Sequence, residues 1–598
     1  MIGSSRVTGC FLAGAVGWLM VAVAGAMLTL AGCATAPRPV TKLVNGRIVV
    51  SRPVSPAAYE HVTRALLYEE EERWEEAAAE LQRALPFDSE SPELHAHVAE
   101  LFVKLGRLDD AADQVQRSMH IEPTVDGWVA SAHVRQARGD IPGTLDSLRR
   151  ATALAGAAAA DDPLAAERAF LDLAEEEIVA LEIDAAFATT QKLVELVPDA
   201  TRARTQLAAL AWALGKMSEA EASLNAVLER EPGEVESRLM LAEVQVAFGK
   251  INAAKASFRE AMDRAESSFE IAAAVVGWLA ARGDNIEAAE ISDRLNTDGG
   301  DPQSLEQQAR VERAAKRPER ALELANRAQR AGAAAGRVAL MVGAAQADNG
   351  QRPAAVMSYL GVHPDAPEYL EARLRAAEIL REQGKTDEAG KLIDQELAAV
   401  TDADARASLV IGRSAVDEKM GDAARAARRL DEALAKDPGN ARLLLARAAV
   451  EDRRGDWRAA LGFAEKVLAK DPRNVEALNF AGFVSVDHAF DLPRATRRLQ
   501  AAIALNPGTG GIVDSLGWAY FRGGDLARAG MFLEQANRLE PGDPEILEHM
   551  GDLWAGRRDL ARALETYRQA LARSPSERVA RELQERVRAL EAKSAAGR

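Results

Sequence analysis

Apolar and small residues recur along this chain at i, i+3, i+4 and i+7, in short stretches separated by glycine or proline. That spacing predicts short amphipathic helices rather than strands. The stretches also repeat. An alanine followed four residues later by a leucine-like residue, and seven later by another small one, falls at Ala77, Ala111, Ala186, Ala220, Ala254, Ala288 and Ala321. It returns at Ala355, Ala389, Ala426, Ala460, Ala495, Ala529 and Ala563, with Thr144 filling one gap. Most steps are 34 residues. A proline such as Pro232, Pro438 or Pro541 closes many units, and a glycine such as Gly106, Gly215, Gly350 or Gly524 ends the first helix of a unit, where left-handed backbone is needed. One helical pair cannot bury its apolar face alone, so the units must stack into a continuous core over residues 58–577.

Two copies are especially complete. Repeat 510–543 carries Leu516-Gly517, Tyr520, Gly524, Ala529, Leu533, Ala536 and Pro541. Repeat 544–577 carries Leu547, Met550-Gly551, Trp554, Ala563, Tyr567, Ala570 and Pro575. The pattern resembles the tetratricopeptide repeat (TPR). Repeat 125–158 departs from it, with Arg135 and Thr144 at key positions. The resemblance implies an all-α fold: a right-handed superhelical α-solenoid of about fifteen TPR helix-turn-helix units with a concave groove. A polar segment follows at 578–598, with Arg578, Arg581, Glu582, Glu585, Arg586 and Arg588, and is expected to be a capping helix and tail. The steps of 42 and 37 residues place expected sub-boundaries near 155–166 and 399–406.

The N-terminus departs from the repeat. Arg6 precedes an apolar run, Phe11 to Leu30, which is followed by Leu30-Ala31-Gly32-Cys33. The run is long enough for one membrane span, which leaves an uncleaved anchor helix as the alternative. The tetrapeptide resembles the bacterial lipoprotein box. That resemblance implies a signal peptide over 1–32 and diacylglycerol on the Cys33 thiol. The other cysteine, Cys10, would leave with the signal, so no disulfide is expected. Ala34 follows the cysteine where aspartate tends to retain Gram-negative lipoproteins in the inner membrane. By resemblance, the expected place is the outer membrane, facing the periplasm. Residues 33–57 read as a tether with Pro37, Pro39, Pro53 and Pro56, and Asn45-Gly46 between two apolar runs predicts a short β-hairpin.

Composition narrows the function classes. Hydrophobic residues are 48% and aromatics only 5%, so the helices must pack closely through alanine. Charged residues at 28% are too many for a multi-span membrane protein and, beside that hydrophobic content, do not suggest disorder. A net charge of −17 argues against a nucleic-acid partner. The acidic excess lies wholly in residues 1–300, which favours basic partners there.

The search for chemistry is mostly negative. The eight histidines form no His-Glu-x-x-His, and His95 and His97 point to different sides of a helix. Gly384-Lys385-Thr386 lacks the earlier glycine of a phosphate loop, that place being Ile379. Ser485, Asp487 and His488 are too close on one helix to converge as a triad. No catalytic residue, metal site or cofactor is expected. The groove-facing positions of the first helices carry more information. Asp514, Trp518 and Arg522 form a stripe at i, i+4 and i+8, with Asn479 and Phe483 on one side and Glu548, His549 and Asp552 on the other. An aromatic flanked by charges suits anchoring a peptide; the alternative is a packed Trp518 beside a surface pair of Asp514 and Arg522. The expected function is a lipid-anchored periplasmic scaffold or assembly factor for a cell-envelope complex, of secretion, polysaccharide-export, pilus or motility type. It would bind other proteins or peptide segments and reach the membrane through Cys33. The alternatives are a holdase-like chaperone for outer-membrane or secreted chains and a glycan-binding accessory protein.

Overall fold

The computed structural model describes residues 40–44, 47–51, 55–265, 269–295, 300–573 and 577–596. The expected signal 1–32, the acylation site Cys33 and much of the tether lie outside the described residues. Val40–Val44 and Arg47–Ser51 pair antiparallel, with Leu43 opposite Ile48. The other elements are helical, running from Pro56–Glu70 to Glu577–Ala596 and joined in successive antiparallel pairs. This is an all-α solenoid of helical hairpins.

Its period is written in the turns inside the hairpins. Each leaves the first helix through one residue in the left-handed region, and fifteen such turns occur among the described residues. Ten use glycine: Gly106, Gly139, Gly215, Gly249, Gly283, Gly350, Gly384, Gly421, Gly455 and Gly524. Five do not: Glu72, Leu181, Lys316, Ala489 and Arg558. The next amide then reaches back into the helix, as Lys216 N–H does to the Ala211 carbonyl at 2.8 Å. This satisfies a carbonyl that the helix end would leave orphaned. Side chains tolerate the five exceptions at a cost of about 1–2 kcal/mol each.

The two long repeats absorb their extra residues in helices. Ile141–Ala158 runs for 18 residues and Ala403–Lys419 for 17, where most neighbours have 13 or 14. The chain divides into two compact units, one through Ala169 and one from Phe170, within the helix Pro163–Val179. The first holds a core around Leu81, Leu101 and Phe102. Residues 399–406 lie inside the second unit.

The second unit folds back on itself. Its first helices pack on hairpins eight repeats later: Thr201–Ala213 lies against Leu492–Leu505, and Val235–Ala247 against Leu526–Leu539. One hydrophobic cluster runs through both sets, joining Trp212, Leu224 and Val244 to Leu499, Phe532 and Leu533. Trp212 is wholly buried, and its indole N–H donates to Gln535 Oε1 at 3.2 Å. Arg538 donates to the Ala247 carbonyl at 2.9 Å and accepts, through its own carbonyl, a hydrogen bond from Arg282 at 2.9 Å. Two intra-hairpin turns rest directly on the later helix. A Cβ on Gly215 would run into Met531 and crowd Phe532, and Gly249 faces the Arg538 guanidinium.

Gly215→Ala is therefore expected to destabilise the chain more than Gly106→Ala. Both substitutions incur about 1–2 kcal/mol of left-handed strain. Only the first adds a collision at the seam, since nothing lies within 4 Å of a Cβ on Gly106. Urea unfolding of both variants checks the difference; equal losses would contradict the seam.

Candidate functional site

Three consecutive first helices carry the expected partner-binding residues: Val475–Asp487, Gly510–Arg522 and Pro544–Gly556. Asn474 caps the first of these and Asp543 the third, their side chains accepting from early amides. Gly482 and Gly517 let the second helices approach closely, since a Cβ on either would press into Leu499 or Leu533 respectively. Asn479, Asp514 and Glu548 then recur once per repeat at the same place, and so do Phe483, Trp518 and Asp552.

His549 is the centre of the patch. Its Nδ1 lies 2.7 Å from Asp514 Oδ2. Its ring stacks on Trp518, centroids 4.3 Å apart and planes 13° apart, and Phe483 lies 6.3 Å away, tilted to it. Trp518 stacks in turn on Phe521 at 5.0 Å. Arg522 does not pair with Asp514. It sits 5.6 Å over Trp518 and donates to the Asp487 carbonyl at 2.8 Å. Burial alone would push the His549 imidazole down, but Asp514 above all, then Glu548 and Asp552, outweigh it and hold its pKa above the ordinary value.

Three polar atoms of this patch are buried without a hydrogen-bond partner: Asn479 Oδ1, Asp514 Oδ1 and Trp518 Nε1. Asp514 and Trp518 are 5% and 8% exposed, so these atoms have given up water and received little in return. Glu548 and Asp552 are engaged otherwise. The end helix Glu577–Ala596 seats Val579, Leu583 and Leu590 beside Leu547 and Tyr567, which brings Arg586 to both carboxylates, at 3.1 Å and 2.6 Å. The Tyr567 hydroxyl donates to Asp552 at 2.5 Å, and burial with that carboxylate pushes the phenol pKa up. Burial likewise pushes Glu548 up, against the pull of Arg586.

Several contributors escape the sequence. Phe521 and Asp487 extend the patch. Beyond Asp487, the turn His488-Ala489-Phe490-Asp491 has left-handed backbone at Ala489 and Asp491 and stacks His488 on Trp457 at 5.2 Å. The 35-residue step at this repeat was the signal. Arg586 was visible only as one charge of a polar helix. The Asp514–His549 pair could orient an imidazole for catalysis, but the neighbouring serines are turned elsewhere. Ser485 donates to the Ala481 carbonyl and Ser515 to that of Gly511. Among the described residues there is no group of three metal-ligating side chains and no helix long and apolar enough to cross a membrane.

Models of the tetratricopeptide repeat family match residues 62–121, 211–279 and 409–475. The chain carries tetratricopeptide repeats. No curated protein matches its sequence. Among solved structures, a TPR protein from Parabacteroides merdae is 17% identical, covering 42% of this chain and 98% of its own, with a TM-score of 0.34. A thermophilic TPR protein from Thermus thermophilus is 22% identical over 31% of this chain and 98% of its own, at 0.28. Yeast Tom70 is 12% identical over 90% and 96%, at 0.29. The repeats make this chain a protein-interaction scaffold.

The raised His549 pKa carries a sign. Folding favours the imidazolium, so its contribution is fully present below the ordinary value of 6.5 and is lost as pH rises through the raised one. His549→Gln should flatten the fall in urea midpoint between about pH 6 and pH 8. An unchanged pH profile would mean that the pair does not couple to folding.

Proposed function

We propose that the chain is a lipid-anchored scaffold of the bacterial cell envelope, and that the His549 patch is where it holds a peptide segment of a partner. The observation that carries the site is the set of buried, unpartnered atoms Asn479 Oδ1, Asp514 Oδ1 and Trp518 Nε1. With the His549 ring swung off Trp518, two acceptors and one donor would match the N–H and C=O groups of a peptide. The aromatic surface of Phe483, Trp518 and Phe521 suits an apolar side chain beside it. The Leu30-Ala31-Gly32-Cys33 box supports the anchor, and Ala34 supports the periplasmic face of the outer membrane. Two or more acyl chains hold such a protein durably, at about 0.8 kcal/mol per buried methylene.

In-cell crosslinking followed by purification tests this reading. A few stoichiometric envelope proteins are expected with the native chain, falling about tenfold with Trp518→Ala. Cys33→Ser should release the protein from the membrane fraction. A broad smear of unfolded clients, indifferent to Trp518→Ala, would replace the scaffold with a chaperone. Membrane attachment that survives Cys33→Ser would overturn the lipid anchor.

A further inference from the structure

A second place on the molecule lacks a counterpart. Where the early repeats of the second unit meet the late ones, a cavity of about 600 Å³ opens beside the seam. Its floor is apolar. Leu171 and Ile178 come from the Pro163–Val179 helix, Met240 from Val235–Ala247, and Leu505 from the end of Leu492–Leu505. Its rim is acidic, with Glu175, Glu231, Glu234 and Glu236. Only two cations share the lining, Arg202 and Arg473. Arg473 is committed to Glu175 at 2.7 Å, a contact between residues 298 positions apart that ties the cavity's two walls together. Three glutamates then share the lining with one arginine, Glu231 taking the Thr201 hydroxyl and Glu234 the Ser237 amide as donors.

Two further acceptors lie close by. Gln206 Oε1, in the cavity lining, is buried without a hydrogen-bond partner. Glu243 lies about one turn beyond Met240 and abuts Gly508, next to the Pro507 wall; its carboxylate oxygens leave no room for a Cβ on that glycine. Burial pushes the Glu243 pKa up to about 7. Apart from Glu243, the lining offers acceptors and negative charge over an aliphatic floor, which a cation beside an apolar group would complement.

We infer that this cavity binds a protein segment presenting a lysine or arginine next to an aliphatic side chain, with the aliphatic group on Ile178 and Met240 and the cation among Glu231, Glu234 and Glu236. This is separate from the His549 patch, so one chain could hold two segments at once.

Fluorescence anisotropy on the purified full chain tests this. The probe is a short labelled peptide of leucines around one arginine and one lysine; the control is the same peptide with both cations replaced by glutamate. The basic peptide should bind saturably and the acidic one should not. The double variant E234Q/E236Q should weaken binding about tenfold, as should Met240→Asp. A benzophenone at a leucine of the probe should crosslink to Met240 or Leu505. Circular dichroism checks that each variant is folded. Equal binding of both peptides, no saturation, no effect of E234Q/E236Q, or crosslinks scattered over the acidic first half would overturn the inference.

Discussion

Trp212 decides the character of the second unit. Its indole is fully enclosed, hydrogen-bonded to Gln535, and surrounded by side chains from repeats far away in the chain. Removing such a ring from a packed site typically costs about 3–5 kcal/mol. Repeat arrays are usually stabilised by contacts between neighbours only, unit by unit. Here a contact over 323 residues joins an early repeat of the second unit to a late one, so the repeats between them are held at both ends. The seam also uses up surface. The first-helix faces at 201–213 and 235–247 are filled by the chain's own second helices, and the surfaces left for a partner are those the seam does not cover.

That division explains why both candidate sites sit where they do. The His549 patch belongs to repeats whose second helices are pinned in the seam: Phe532 and Leu533 pack behind Gly510–Arg522, in the same buried cluster as Trp518. A buried aromatic stack with unpaired polar atoms is costly unless its scaffold is rigid. The end helix adds to this through Arg586, which neutralises Glu548 and Asp552. The acidic cavity, by contrast, exists only because the unit closes, since its walls come from residues 171–240 and 473–507.

Much of the fold could be read from the sequence, because it is local. The register of Ala77 through Ala563 and the glycines after each first helix reflect contacts within one repeat or between neighbours. All ten glycines expected in left-handed turns adopt that conformation. Five more turns use Glu72, Leu181, Lys316, Ala489 and Arg558, where stacking overrides local preference. The seam could not be read this way, because no short spacing encodes a contact eight or nine repeats away. One trace was present: the run Gln500-Ala501-Ala502-Ile503-Ala504-Leu505 is apolar nearly all round, which marks a helix buried on two faces. The site was half legible. Asp514, Trp518 and His549 form one cluster, but pairing followed three-dimensional neighbours: Asp514 went to His549 instead of Arg522, and Glu548 and Asp552 went to a helix read only as a cap.

The closure of the second unit is the claim on which the rest stands, and a distance tests it most directly. Spin labels on cysteines introduced at Lys216 and Glu534, in a chain with Cys10 and Cys33 replaced, would report the separation across the seam by pulsed electron resonance. Both residues line the same crevice. A closed unit gives a single narrow distribution no longer than about two helix diameters. An open stack of nine hairpins, with helices about 10 Å apart, would instead give a broad distribution at several tens of ångströms; that result would contradict the seam and remove the acidic cavity with it.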